Sequence, residues 1–171
     1  MEKEDTILLI GHGGVPSDFP QQETGELRKL EVQRESQGLP HPVGREKELD
    51  DKIRHWPRTP KSDPYQAGLE RVADHLRKRL PHQQVVVAYN EFCTPSVDVA
   101  IDALVKEGAQ RIIVTTTMFT PGGSHPEREI PEILERARER HPTLVIQYAW
   151  PFNLDLAAEF LAKQMETFSA Q

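Results

Sequence analysis

The sequence carries one cysteine in 171 residues, few aromatics and no long apolar run. A single thiol, Cys93, excludes an internal disulfide and any cysteine-only metal site. No stretch approaches the ~18–20 consecutive apolar residues that a membrane helix needs. Basic residues are outnumbered 21 to 27, a net charge of −6. That deficit argues against a general nucleic-acid binder, which carries a basic patch and a high pI. The opening run Met1-Glu2-Lys3-Glu4-Asp5 is charged and leads straight into an apolar strand, unlike a secretory signal. The expectation is a soluble, cytoplasmic protein with a single domain over residues 1–171 and no membrane or nucleic-acid partner.

What is present is a regular alternation. Thr6-Ile7-Leu8-Leu9-Ile10 stops at Gly11-His12-Gly13-Gly14 and reads as a strand buried on both faces. Val85–Tyr89 and Arg111–Thr117 read the same way, and Leu144–Tyr148 forms a weaker fourth strand. Helical spacing follows in Leu69, Val72, Ala73, Leu76 and Leu80, then in Val97, Ala100, Ile101, Leu104 and Val105. Ile130, Ile133, Leu134 and Ala137 mark a further helix, and Leu154, Ala157, Ala158, Leu161, Met165 and Phe168 the last. Alternating β and α elements with buried strands imply a doubly wound, four-stranded parallel sheet of flavodoxin-like type, with strand order 2-1-3-4.

Residues 15–64 break this rhythm, because such folds usually need only a few residues there. The stretch is rich in Pro, Gln and charge. Leu27 and Leu30, then Leu49, Ile53 and Trp56, predict two short amphipathic helices joined near Gly38–Gly44. It is read as a helical insertion after strand 1, serving as a lid or a partner surface.

Ligands of open α/β sheets bind outside the carboxyl ends of the strands. Strand one ends at His12, strand two at Asn90-Glu91, and strand three feeds Thr120–His125. Each histidine alone is better read as a satisfied loop residue. Together with the glutamate they make an imidazole–carboxylate set suited to a borderline divalent metal such as Co, Ni, Fe or Zn. Gly11-His12-Gly13-Gly14 lacks the spaced glycines of a dinucleotide fingerprint and the Lys-Ser/Thr of a P-loop, so no organic cofactor is expected.

Ile10-Gly11-His12-Gly13, Asn90-Glu91 with Pro95-Ser96, and Gly123-Ser124-His125 with Glu129-Ile130-Pro131 resemble the sirohydrochlorin chelatase family, outside residues 15–64. These small enzymes insert metal into tetrapyrroles of cobalamin, sirohaem and nickel-tetrapyrrole synthesis. The resemblance implies His12 and His125 as metal-binding and catalytic residues, with Glu91 as third ligand or base. It implies Co²⁺ as substrate, with Ni²⁺ or Fe²⁺ as alternatives, a sirohydrochlorin-like tetrapyrrole as the other substrate, and a homodimer. Gly13-Gly14 stands where many members have Ser-Arg, and Glu129 stands where Asp is usual.

A polycarboxylate substrate needs cations on an acidic protein. Arg45, Arg54 and Arg58, with Lys61, surround His55-Trp56-Pro57. The arginines suit carboxylates and Trp56 could stack on a macrocycle, or the run is a solvated helix face with Trp56 in the core. Two other classes compete with the chelatase: a non-catalytic metal-binding or metal-delivery protein using the same histidines, and an interaction module.

Overall fold

A computed structural model describes residues 5–39 and 41–169; the charged run Met1–Glu4 lies outside them. The chain runs β1 (Thr6–Gly11), α1 (Gln21–Ser36), α2 (Gly44–Arg54), α3 (Pro64–Arg79), β2 (Gln84–Tyr89), α4 (Val97–Lys106) and β3 (Arg111–Thr116). A π-helical turn (His125–Glu129) then leads into α5 (Ile130–Arg140), β4 (Val145–Tyr148) and α6 (Leu154–Ser169). The sheet is parallel throughout, with order β2-β1-β3-β4. That is the order expected from the alternation of strands and helices.

The two faces of the sheet are filled unequally. Alternate side chains of the strands (Leu8, Ile10, Ile112, Val114 and Ile146) meet α4 and α5 in the main core. Burying each such side chain is worth roughly 1.5–3 kcal/mol. On the other face Leu9, Val87 and Tyr89 pack on Leu69 and Ala73 of α3, with Cys93 among them. β1, central and covered on both sides, is buried along its whole length, which is why it reads as a continuous apolar run.

Helix ends are set by local chemistry. Asp63 caps α3 by accepting from the Gln66 N–H at 2.9 Å, with Pro64 at the first turn. Ser96 caps α4 through the Val99 N–H.

The segment between β1 and α3 has a small core of its own. Phe19, Leu27, Leu49 and Ile53 pack on Phe92, with Val15, Leu30 and Trp56 alongside. Two helices are present as expected, but α1 runs to 16 residues and buries only Leu27. No helix among the described residues is long and apolar enough to cross a membrane.

Candidate metal centre

Three loops at the carboxyl edge of the sheet converge. His12 follows β1, Glu91 follows β2, and His125 opens the turn after β3. One ligand atom from each of the three lies within 4.8 Å of the others. Glu91 Oε2 is 3.8 Å from His12 Nε2, and its Oε1 is 3.8 Å from His125 Nε2. The imidazoles meet edge to face with centroids 4.7 Å apart. All three side chains are partly open to solvent.

Main-chain bonds set the spacing on the first side. Beyond the paired strands, the Asn90 N–H donates to the Gly11 carbonyl at 2.9 Å and the Glu91 N–H to the His12 carbonyl at 2.8 Å. The two loops thus stay laddered up to the ligands. Gly13, at φ +102°, is what permits this approach, since a Cβ there would stand 1.8 Å from the Glu91 carbonyl oxygen. The His12 backbone N–H donates to the Tyr65 hydroxyl at 2.7 Å. Its ring Nδ1 lies 2.8 Å from the Gly13 carbonyl, which requires an Nδ1–H and leaves Nε2 facing Glu91.

His125 reaches the same tautomer by other means. Its Nδ1 lies 2.7 Å from Glu129 Oε2, so Nδ1–H donates to the carboxylate and Nε2 faces Glu91. Asn90 Nδ2 donates to the same oxygen at 3.0 Å. Burial works to raise the Glu129 carboxyl, but hydrogen bonds from His125, Asn90 and Ser124 outweigh it and hold the group below the usual carboxylate range. A carboxylate behind a ligating imidazole fixes its tautomer and raises its basicity. The turn that brings the pair together is π-helical: the Ile130 N–H reaches back to the His125 carbonyl. The Pro126 carbonyl, the α-type alternative for that N–H, accepts instead from the Tyr148 hydroxyl at 3.0 Å.

The cations expected around Trp56 lie differently. Arg58 is enclosed, its side chain 6% exposed, and bonds Asp63 and the carbonyls of Gly14, Ile53 and Phe92. Its terminal nitrogens thus fasten loops together, while the buried Nε has no hydrogen-bond partner among the described residues. Arg54 is paired through Nε with both oxygens of Asp50 and donates to the Asn90 and Cys93 carbonyls. Trp56 stands edge-on to Phe19 at 5.1 Å and donates to Asp18. Arg45 is exposed and bonded to Glu26 and Glu48. Of these four, only Arg54 lines a cavity beside Glu91.

Other cations line the approach. A cavity of about 210 Å³ beside Asn90, Glu91 and Glu129 is walled by α1 and α2. A cleft of about 570 Å³ shares Arg34, Glu35, Glu129 and Ile133 with it and adds Arg128 and Arg136. Arg34 bonds Glu46 at 2.8 Å, Arg136 reaches Asp98 at 3.9 Å, and Arg128 is exposed. Arg128 lies three residues from His125, the one sequence signal that could have singled it out. Arg34 and Arg136 reach the cleft only through helix packing.

The CbiX family model matches residues 61–165. The chain belongs to the CbiX family. The match takes in Glu91 and His125 and begins after His12. Among similar proteins, the sirohydrochlorin ferrochelatase of Priestia megaterium is 28% identical over 82 residues, 48% of this chain and 30% of that protein. The sirohydrochlorin cobaltochelatase of Methanococcus maripaludis is 36% identical over 63 residues, 37% of this chain and 43% of that protein. The aligned stretch spans less than half the length of either relative. The crystal structure of a CbiX protein from Marinobacter aquaeolei VT8 superposes with a TM-score of 0.56 at 16% identity, covering 98% of this chain and all of that one. That likeness shows a shared CbiX fold.

Proposed function

We propose that this CbiX protein inserts a divalent metal into sirohydrochlorin or a closely related tetrapyrrole. The observation that carries the reading is the pair of imidazoles, each with Nδ1 committed and Nε2 directed at Glu91. Two neutral nitrogens and one carboxylate hold a borderline metal while leaving positions open for its next ligands. The same nitrogens can accept the two protons that leave the macrocycle as the ion enters. The two relatives named act with different metals, Fe and Co. Co²⁺ is taken here as the first candidate, followed by Fe²⁺ and Ni²⁺.

The substrate lies in the cleft along α1 and α5. Arg34, Arg128 and Arg136 meet its carboxylates there, and Arg54 stands at the metal end. Residues 15–64 act as an insertion that walls one side of this cleft. A second copy of the chain supplies the opposite wall.

The test is absorption spectroscopy of sirohydrochlorin mixed with the protein and each of Co²⁺, Fe²⁺ and Ni²⁺. One metal should be inserted well above the uncatalysed rate. His12→Ala and His125→Ala should each lower the rate by ~100-fold or more with the fold intact, since neither side chain fills the core. Metal binding without faster insertion would instead make the protein a metal carrier.

A further inference from the structure

Behind Glu91 lies a cavity that neither histidine lines. It measures about 210 Å³ between α1, α2 and the loop after β2, with Glu31, Asn90 and Glu91 in its wall. Carboxylates outnumber guanidiniums there, and most of them are already paired. Glu46 accepts from Arg34 at 2.8 Å, both oxygens of Asp50 accept from Arg54, and Glu129 accepts from His125 and Asn90. Glu31 has no hydrogen bond or ion pair among the described residues, and Arg34, which acts on it through space, is bonded to Glu46. Burial, with the neighbouring carboxylates of Glu91, Asp50 and Glu46, raises the Glu31 carboxyl, a sign of acidic crowding.

Asn90 supplies a second, independent signal. The residue is only 9% exposed, yet its Oδ1 is buried without a hydrogen-bond partner among the described residues. Turning the amide over does not relieve this. Its Nδ2 donates to Glu129 Oε2 at 3.0 Å, and a flipped amide would set oxygen against carboxylate oxygen. Native proteins leave few buried acceptors unmet, and one that stays unmet calls for a water or an ion from outside the chain. Glu31, Glu91 and Asn90 Oδ1 are all acceptors, so that partner must present donors in several directions at once.

We propose that this cavity takes a hydrated divalent cation of the Mg²⁺ class, whose water shell donates to Glu31 on α1 and to Asn90 Oδ1 on the loop after β2. Size agrees, since a shell of six waters occupies ~180 Å³. So does the donor set. Among the described residues, the one group of three side chains close enough to ligate an ion directly is His12, Glu91 and His125, so a cation in this cavity is held through water. Mg²⁺ gives up its waters reluctantly and prefers oxygen to imidazole. The ion offsets the crowded carboxylates and clasps α1 to the loop that carries Glu91. It is distinct from any metal held by the imidazoles.

The site rests on Glu31 and Asn90 and not on metal insertion, so its test reads Mg²⁺ binding and succeeds or fails independently of chelatase activity. In calorimetry at pH 8 the full chain should take up one Mg²⁺, and MgCl₂ should raise Tm above its value in NaCl of equal ionic strength. Glu31→Gln should weaken the binding by ~10-fold or more and remove the rise in Tm, because a charge-assisted bond to the water shell is lost. Asn90→Asp, which keeps an oxygen in the wall and adds charge, should tighten it. His12→Ala should bind Mg²⁺ as the parent does. A parent that takes up no Mg²⁺ at millimolar concentration overturns the inference. So does uptake that Glu31→Gln leaves intact, and so does loss of uptake in His12→Ala, which would put the ion at the imidazoles.

Discussion

The two histidines of the candidate metal centre have ring centroids 4.7 Å apart, and opposite means hold them. His12 is placed by main chain: a Gly13 carbonyl on its ring, and a β1–β2 ladder that continues to Glu91. His125 is placed by side chains: Glu129, one turn on, takes its Nδ1–H, and Asn90 from a neighbouring loop donates to the same carboxylate oxygen. The difference teaches where each is vulnerable. The first loop breaks through backbone geometry and is indifferent to local charge. The second breaks through charge and tolerates small movements of backbone.

Replacing Gly13 should break the first loop most severely. In Gly13→Ala the new methyl would stand against the Glu91 carbonyl in a left-handed conformation that alanine resists, so the β1 and β2 loops must part. A cost of roughly 2–3 kcal/mol corresponds to a Tm lower by about 5–10 °C for a chain of this size. Co²⁺ affinity, read by calorimetry, should fall with it. Unchanged Tm and affinity would show that the loops are not held by their main chains.

Glu129→Gln tests the second loop. The amide keeps the shape but loses the charge behind His125, so Co²⁺ affinity should fall by ~10–100-fold. Tm at neutral pH should move much less than in Gly13→Ala. Because the Glu129 carboxyl is held below its usual range, its contribution to stability is present above about pH 4.5 and is lost as the pH falls further. The variant should therefore lose less stability on acidification than the parent.

The smallest effect comes from behind Glu91, where α1 contributes Glu31. Burial, together with the carboxylates of Glu91, Asp50 and Glu46, raises its carboxyl to about 7. Its raised affinity for a proton favours the fold fully below about pH 4.5, and this advantage is lost as the pH rises through 7. Glu31→Gln should therefore raise Tm by about 2–4 °C at pH 8 and leave it unchanged near pH 4.5, a modest figure because the group is half exposed. Equal shifts at both pH values would mean that charge is not the cause.

The sheet and its strand order were legible because buried parallel strands must be apolar along their length, and Ile7–Ile10 and Ile112–Val114 are. The three ligand candidates were legible because strand ends at the carboxyl edge are few, and His12, Glu91 and His125 follow three of them. The role of Glu129 was hidden, since only a helical turn brings a residue four places on against His125. The surroundings of Arg54 and Arg58 were hidden for a different reason. Their partners are carbonyls of Asn90, Phe92 and Cys93, brought close by tertiary packing, and a guanidinium that fastens loops has the same sequence signature as one that binds substrate. The apolar stripe of α6 could be read, but the sequence carries no sign that it stays exposed among the described residues.

One small contact has a consequence for how the chain acquires its fold. The Ser17 N–H donates to the Ser62 carbonyl at 2.8 Å, so the ends of the long segment after β1 meet at a single neck. Thr6 nevertheless has to find Gln84 with that whole segment threaded between them. Closing a loop costs more the longer it is, by about 0.6 kcal/mol for each doubling. Joining the chain across the neck would more than halve the distance in sequence between the first two strands. The shortened protein should therefore pair its first two strands sooner and refold faster in a stopped-flow experiment.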